Sequence, residues 1–185
     1  STKHKITKEE KMANNFYKLA LGGIFAIIVI GAYMAFTGYA NDVYPLDQSV
    51  GFLDRVVATS NPQTIIADIN SIKTNLPETG NPVWIFPTDS TNFARIQADL
   101  DTMLISAEKI SAVPTDSAAY HTGMLDINSR AVLIQENIAD AIPYMYVSFS
   151  NIIFSSIWIA AILGIFAVLN KKKQKMQEYD VSQDV

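Results

Sequence analysis

The sequence predicts an all-α protein in which two transmembrane helices flank an extracytoplasmic, up-down four-helix bundle. Three observations lead there. Two uncharged stretches, Leu19–Asn41 and Ala141–Asn170, each exceed the ~20 residues a helix needs to cross a hydrocarbon core of about 30 Å. The 99 residues between them, Asp42–Asp140, carry apolar side chains at spacings of three and four rather than two. Proline and asparagine then divide that middle segment into four helical runs.

The first element, Ser1–Lys18, is a lysine-rich head with five lysines (Lys3, Lys5, Lys8, Lys11, Lys18) against Glu9 and Glu10. The last, Lys171–Val185, opens on Lys171, Lys172, Lys173 and Lys175. Between the spans five basic side chains face thirteen acidic ones, a net of −8 that the overall charge of −4 conceals. Lysine-rich flanks stay cytoplasmic, so both termini are expected inside and the middle domain outside a cell membrane. An acidic outer domain makes nucleic acid a poor partner, because phosphate binding needs clustered Lys and Arg. The lysine cluster after Asn170 reads as a stop-transfer anchor touching anionic headgroups of the lipid bilayer.

The first span is expected to be an uncleaved anchor. Gly38-Tyr39-Ala40 resembles a small-x-small cleavage site, but the apolar run is longer than the 7–15 residues of a signal core. Within it, Gly22 and Ala26, and again Gly31 and Ala35, repeat at a spacing that lets helix backbones approach. Neither span contains a charged residue, which argues against a proton relay or ion pathway.

The bundle helices follow from four stripes. Leu46, Val50, Leu53 and Val57 form the first, and Ile65, Ile69, Ile72 and Leu76 the second. Phe93, Ile96, Leu100, Met103, Ala107 and Ile110 form the third. Tyr120, Met124, Ile127, Ala131, Ile134 and Ile138 form the fourth. Asn61-Pro62 separates the first two helices, with Pro in a first turn that tolerates its missing N–H. Thr88, Asp89 or Ser90 is expected to cap the third, and Pro114-Thr115-Asp116 to precede the fourth. Parity places the Pro77–Pro87 loop at the membrane end of the bundle, where Trp84 and Phe86 either suit the amphipathic interface or a partner chain, or plug the bottom of the bundle. The third and fourth helices, about 24 and 27 residues or ~36–40 Å, outrun the first two at about 15 residues each. That mismatch predicts a protruding two-helix hairpin without cover of its own.

The second span places Ser148, Asn151 and Ser155 three and four apart, on one face. An amide in hydrocarbon is costly unless paired, so this face is expected to meet another helix.

The chain has no cysteine, which excludes disulfides and thiolate metal sites. Its two histidines, His4 and His121, are assigned to opposite sides of the membrane, so no His-pair metal site forms. No Gly-x-Ser-x-Gly elbow, Ser-x-x-Lys motif or Gly-rich phosphate loop occurs. No catalytic residue, metal ligand or cofactor site is assigned. The expected role is a non-catalytic accessory subunit held among other integral membrane subunits. The other class, a two-span sensory ectodomain, would have to signal through a partner, since only 15 residues follow Asn170.

The lysine-rich head, the span Leu19–Ala40, the Cys-free helical ectodomain with its asparagines and the Lys171–Lys175 stop resemble small membrane proteins of ammonia-oxidising archaea. In particular, the chain resembles the small helical accessory subunits that accompany the archaeal ammonia monooxygenase, a copper membrane monooxygenase. The resemblance implies a parent complex whose other subunits carry the copper. It transfers no copper ligand to this sequence.

Overall fold

The structure, a computed structural model, describes residues 2–181, with side chains described over 16–149, 151–171 and 173–174. Ser1 and residues 182–185, which belong to the two segments expected in the cytoplasm, lie outside the described residues. The chain is all helical apart from its connections: α1 (Thr2–Gly38), a π-helical turn (Tyr39–Val43), α2 (Tyr44–Ala58), α3 (Pro62–Asn75), α4 (Phe93–Ser111), α5 (Ala118–Tyr146) and α6 (Phe149–Val181). No strand occurs among the described residues. Thr37–Phe149 makes one compact unit, and α1 up to Phe36 with α6 from Ser150 makes another.

In the first unit, α2 packs on α3 and α5, and α4 packs on α3 and α5. The four helices therefore form a closed ring of neighbours around one core, the arrangement that short connections between successive helices favour. Each predicted stripe of α3, α4 and α5 is buried residue for residue, and Ala141 extends the α5 stripe by one turn. Leu53, Ile65, Ile69, Ile96, Leu100, Met103 and Ile127 are wholly removed from solvent.

Helix α2 differs from its predicted stripe. Its buried face is Leu46, Ser49, Leu53 and Val56, whereas Val50 and Val57 are only half-buried. Ser49 can occupy a core position because its hydroxyl donates to the Pro45 carbonyl one turn back, at 2.8 Å. A polar residue that satisfies itself on its own helix does not show as a gap in packing, only as a gap in the sequence pattern.

The predicted protruding hairpin is also corrected. Helix α4 has 19 residues, not about 24, because it begins at Phe93. The cap is Asn92, whose side chain accepts from the Ala94 N–H at 3.0 Å, rather than Thr88, Asp89 or Ser90. The extra length of α5, 29 residues in all, includes Pro143, which the helix passes to end at Tyr146. At the other end of the bundle the Tyr120 hydroxyl donates to the Ser60 carbonyl in the α2–α3 turn. That turn thus covers the start of α5, and Ala107, Ile110 and Tyr120 are buried.

Polar contacts bind neighbouring helices together. Asn61 and Ser117 cap α3 and α5 by accepting from Gln63 N–H at 2.9 Å and Tyr120 N–H at 3.2 Å. Gln97 of α4 donates to the Lys73 and Leu76 carbonyls at 3.1 and 3.2 Å, satisfying groups that the end of α3 leaves open. Gln135 of α5 donates to Asp54 of α2 at 2.6 Å. Gly123 lets α5 approach the end of α4 closely, since a Cβ there would lie 2.5 Å from the Ile110 Cδ1.

Candidate functional site

Helices α1 and α6 are long and apolar enough to cross a membrane. Each turns one heptad-spaced face to the other. On α1 the less exposed residues include Ala20, Gly23, Ile27, Gly31 and Met34, and on α6 they include Trp158, Ile162, Ile165 and Leu169. Trp158 is the centre of this seam. Its indole N–H donates to the Ile27 carbonyl at 3.1 Å, and its ring lies against Gly31. A Cβ on Gly31 would sit 2.8 Å from the Trp158 Cε2 and Nε1 atoms, so glycine is required for the indole to reach the helix backbone. Nearer the start of α1, Phe16, Gly23, Gly164 and Leu169 are among the residues that line an open apolar groove of about 340 Å³.

The remaining small residues of α1 lie off this seam. Gly22 has open space where a Cβ would be, and Ala26 and Ala35 are exposed. Large apolar side chains share that outward surface, among them Leu21, Phe25, Tyr33 and Phe36 on α1, and Phe154, Ile157, Leu163 and Phe166 on α6.

The predicted polar face of the second span is divided. Ser148 lies in the break between α5 and α6, so it does not share a helix with Asn151 and Ser155. Asn151 is half-buried and Ser155 exposed. The nearby Ser156 hydroxyl donates to the Ile152 carbonyl at 2.8 Å.

Trp84 and Phe86 do not plug the bundle. Val83 does that, at 7% exposure, while Trp84, Ile85 and Phe86 stand 47%, 56% and 80% exposed. The Trp84 indole N–H donates to the Val147 carbonyl at 3.0 Å, which ties the loop to the bundle end from which the chain leaves α5. The loop is built rather than slack. Gly80 adopts φ +109°, a conformation that L side chains rarely adopt, and its carbonyl accepts from the Phe93 N–H at 2.9 Å. Asn81 accepts from the Val83 N–H at 3.0 Å and the buried Thr91 hydroxyl at 2.9 Å, and donates to the Thr88 carbonyl at 2.7 Å.

The bundle holds one buried charge. Asp68, 1% exposed, receives two hydrogen bonds from Arg55, one of them from Nε at 2.7 Å, and the guanidinium also covers the Phe52 ring at 5.1 Å. Hydrogen bonding to Asp68 holds the Arg55 guanidinium above its ordinary pKa, against the opposing effect of desolvation. His121 is exposed and meets the Tyr120 ring edge-on at 6.0 Å. Among the described residues no three His, Cys, Asp or Glu side chains gather as metal ligands would.

Trp158 and Asp68 were not legible as key residues from spacing alone. Trp158 reads as one more apolar residue in a span, and only its pairing with Gly31 marks it. Asp68 falls on the buried stripe between Ile65 and Ile72, and that position was its one available signal. Neither a protein-family model nor a curated protein nor a solved structure matches the chain.

Proposed function

We propose that this protein is a non-catalytic accessory subunit of a multi-subunit integral membrane complex. In this reading α1 and α6 cross the bilayer, both termini are cytoplasmic and the bundle stands outside. One observation carries the reading: α1 and α6 meet at the Trp158–Gly31 contact, and Gly22 and Ala26, four residues apart on one face of α1, remain exposed at a spacing suited to close helix approach. Apolar surface facing lipid gains nothing from small residues, whereas a neighbouring helix gains contact area from them. The lysine flanks support the orientation. The layout-level resemblance points to a copper membrane monooxygenase as the parent complex, with the copper held by other subunits.

The test is purification at native expression in mild detergent, with mass spectrometry of what co-migrates. Other membrane subunits should accompany the chain, and Gly22→Leu should reduce their recovery severalfold while leaving the chain itself folded. Purification as a solitary monomer would overturn the subunit reading. The narrower attribution has its own outcome: co-migrating partners without copper or an oxygenase subunit would remove it.

A further inference from the structure

The end of the bundle that carries Trp84 is ringed by exposed aromatic residues. Tyr39 and Tyr44 stand where the chain enters α2, 40% and 46% exposed, with their rings 6.2 Å apart. Tyr144 and Tyr146 stand where it leaves α5, 39% and 53% exposed. Entry and exit are side by side, because the π-turn packs on α5 and Tyr39 is within electrostatic reach of Tyr146. The tyrosines stand on the α2–α5 side of this end, and Trp84-Ile85-Phe86, in the α3–α4 connection, meets that side through the Trp84 bond to the Val147 carbonyl beside Tyr146.

This apolar surface cannot hide itself. The Asn81 and Thr91 hydrogen bonds and the buried Val83 fix the loop, so its three outward side chains have no route back into the core. The residue types fit one occupant best. Tyr and Trp pair an apolar ring with a hydroxyl or N–H, a combination that favours the boundary between hydrocarbon and water. The segments that carry these rings also carry the carboxylates Asp42, Asp47, Glu78, Asp89 and Asp140, of which Asp89 is paired with Arg95, and the excess of negative charge would repel anionic headgroups. Seating by aromatic rings alone therefore predicts binding to zwitterionic lipid.

We infer that the loop Pro82–Pro87 and the tyrosine collar seat this end of the bundle in the headgroup region of the bilayer, with lipid rather than protein as the occupant. The inference rests on the reading that α1 and α6 cross the membrane. A bundle anchored this way is held at its base by these rings in addition to its two covalent connections.

The chain's two tryptophans, Trp84 and Trp158, separate the inference from that premise. Each is left as the only fluorophore of its type by Trp158→Phe or Trp84→Phe, and the full chain is reconstituted alone in phosphatidylcholine vesicles. Lipids carrying a nitroxide near the glycerol or near the chain terminus serve as shallow and deep quenchers, and acrylamide as the aqueous one. Trp84 should be quenched most by the shallow lipid and little by acrylamide, unchanged by added salt, while Trp158 responds to the deep lipid. Phe86→Ser should move the ratio of seated to withdrawn loop about 10-fold or more toward water. Trp84 quenched by acrylamide and by neither lipid, with Trp158 still quenched by the deep one, overturns the inference and leaves the spans standing. Loss of lipid quenching at both tryptophans overturns the spans and the inference with them.

Discussion

Asp68 and Arg55 form an asymmetric pair: the carboxylate is buried on α3, and the guanidinium remains largely in water on α2. Removing Arg55 leaves a buried carboxylate without its two donors, whereas removing Asp68 leaves a cation that water can solvate. Arg55→Ala should therefore lower the denaturation midpoint, and adding Asp68→Ala should cost nothing further. A double variant clearly less stable than Arg55→Ala would refute this account of the pair. Ile127 tests the core at the same scale. It is wholly buried on α5, so Ile127→Ala should cost about 2–5 kcal/mol. Leu125, two residues away and 68% exposed, should change stability by less than about 0.5 kcal/mol as Leu125→Ala. Ser49 marks the limit of pattern reading at this scale, since a hydroxyl bonded to its own helix occupies a position that spacing assigns to Val50.

At the scale of elements, helix identity follows from the stripes because each buried face repeats at three and four residues and each helix start has an Asn or Ser cap or a Pro. Helix length was less legible. The segment before Phe93 contains Thr88, Asp89 and Ser90, any of which could cap a helix, but Asn81 and Thr91 engage that stretch in a folded loop. The hairpin that those extra residues implied disappears with them. The α1–α6 seam depends on Gly31, where any side chain must displace the Trp158 ring and break its bond to the Ile27 carbonyl. Gly31→Leu should shift Trp158 emission and weaken a cysteine cross-link placed across the two helices. An unchanged emission and cross-link would show that the seam is not formed by these residues.

For the whole molecule, the sequence carries the division into two apolar helices and an intervening bundle because membrane spans and heptad stripes are both long-range compositional signals. The proposed docking surface carries no such signal. Gly22 and Gly31 look alike in sequence, and only the fold shows that one is open and the other is filled by Trp158. A fragment covering Thr37–Phe149 keeps Val43 and Ala141 in the core and should give a strongly helical far-UV spectrum, with a strand-dominated spectrum as the contrary result.

The claim on which the functional reading depends is that α1 and α6 place the bundle outside the cell and the lysine-rich ends inside. A cysteine-free chain makes this directly measurable. Single cysteines are introduced at Thr115, in the exposed turn before α5, and at Lys173, an exposed position of α6 after its apolar run, and whole cells are treated with a membrane-impermeant thiol reagent. The account predicts labelling at position 115 and protection at 173 until the cells are opened. Labelling at 173 with protection at 115 would contradict it.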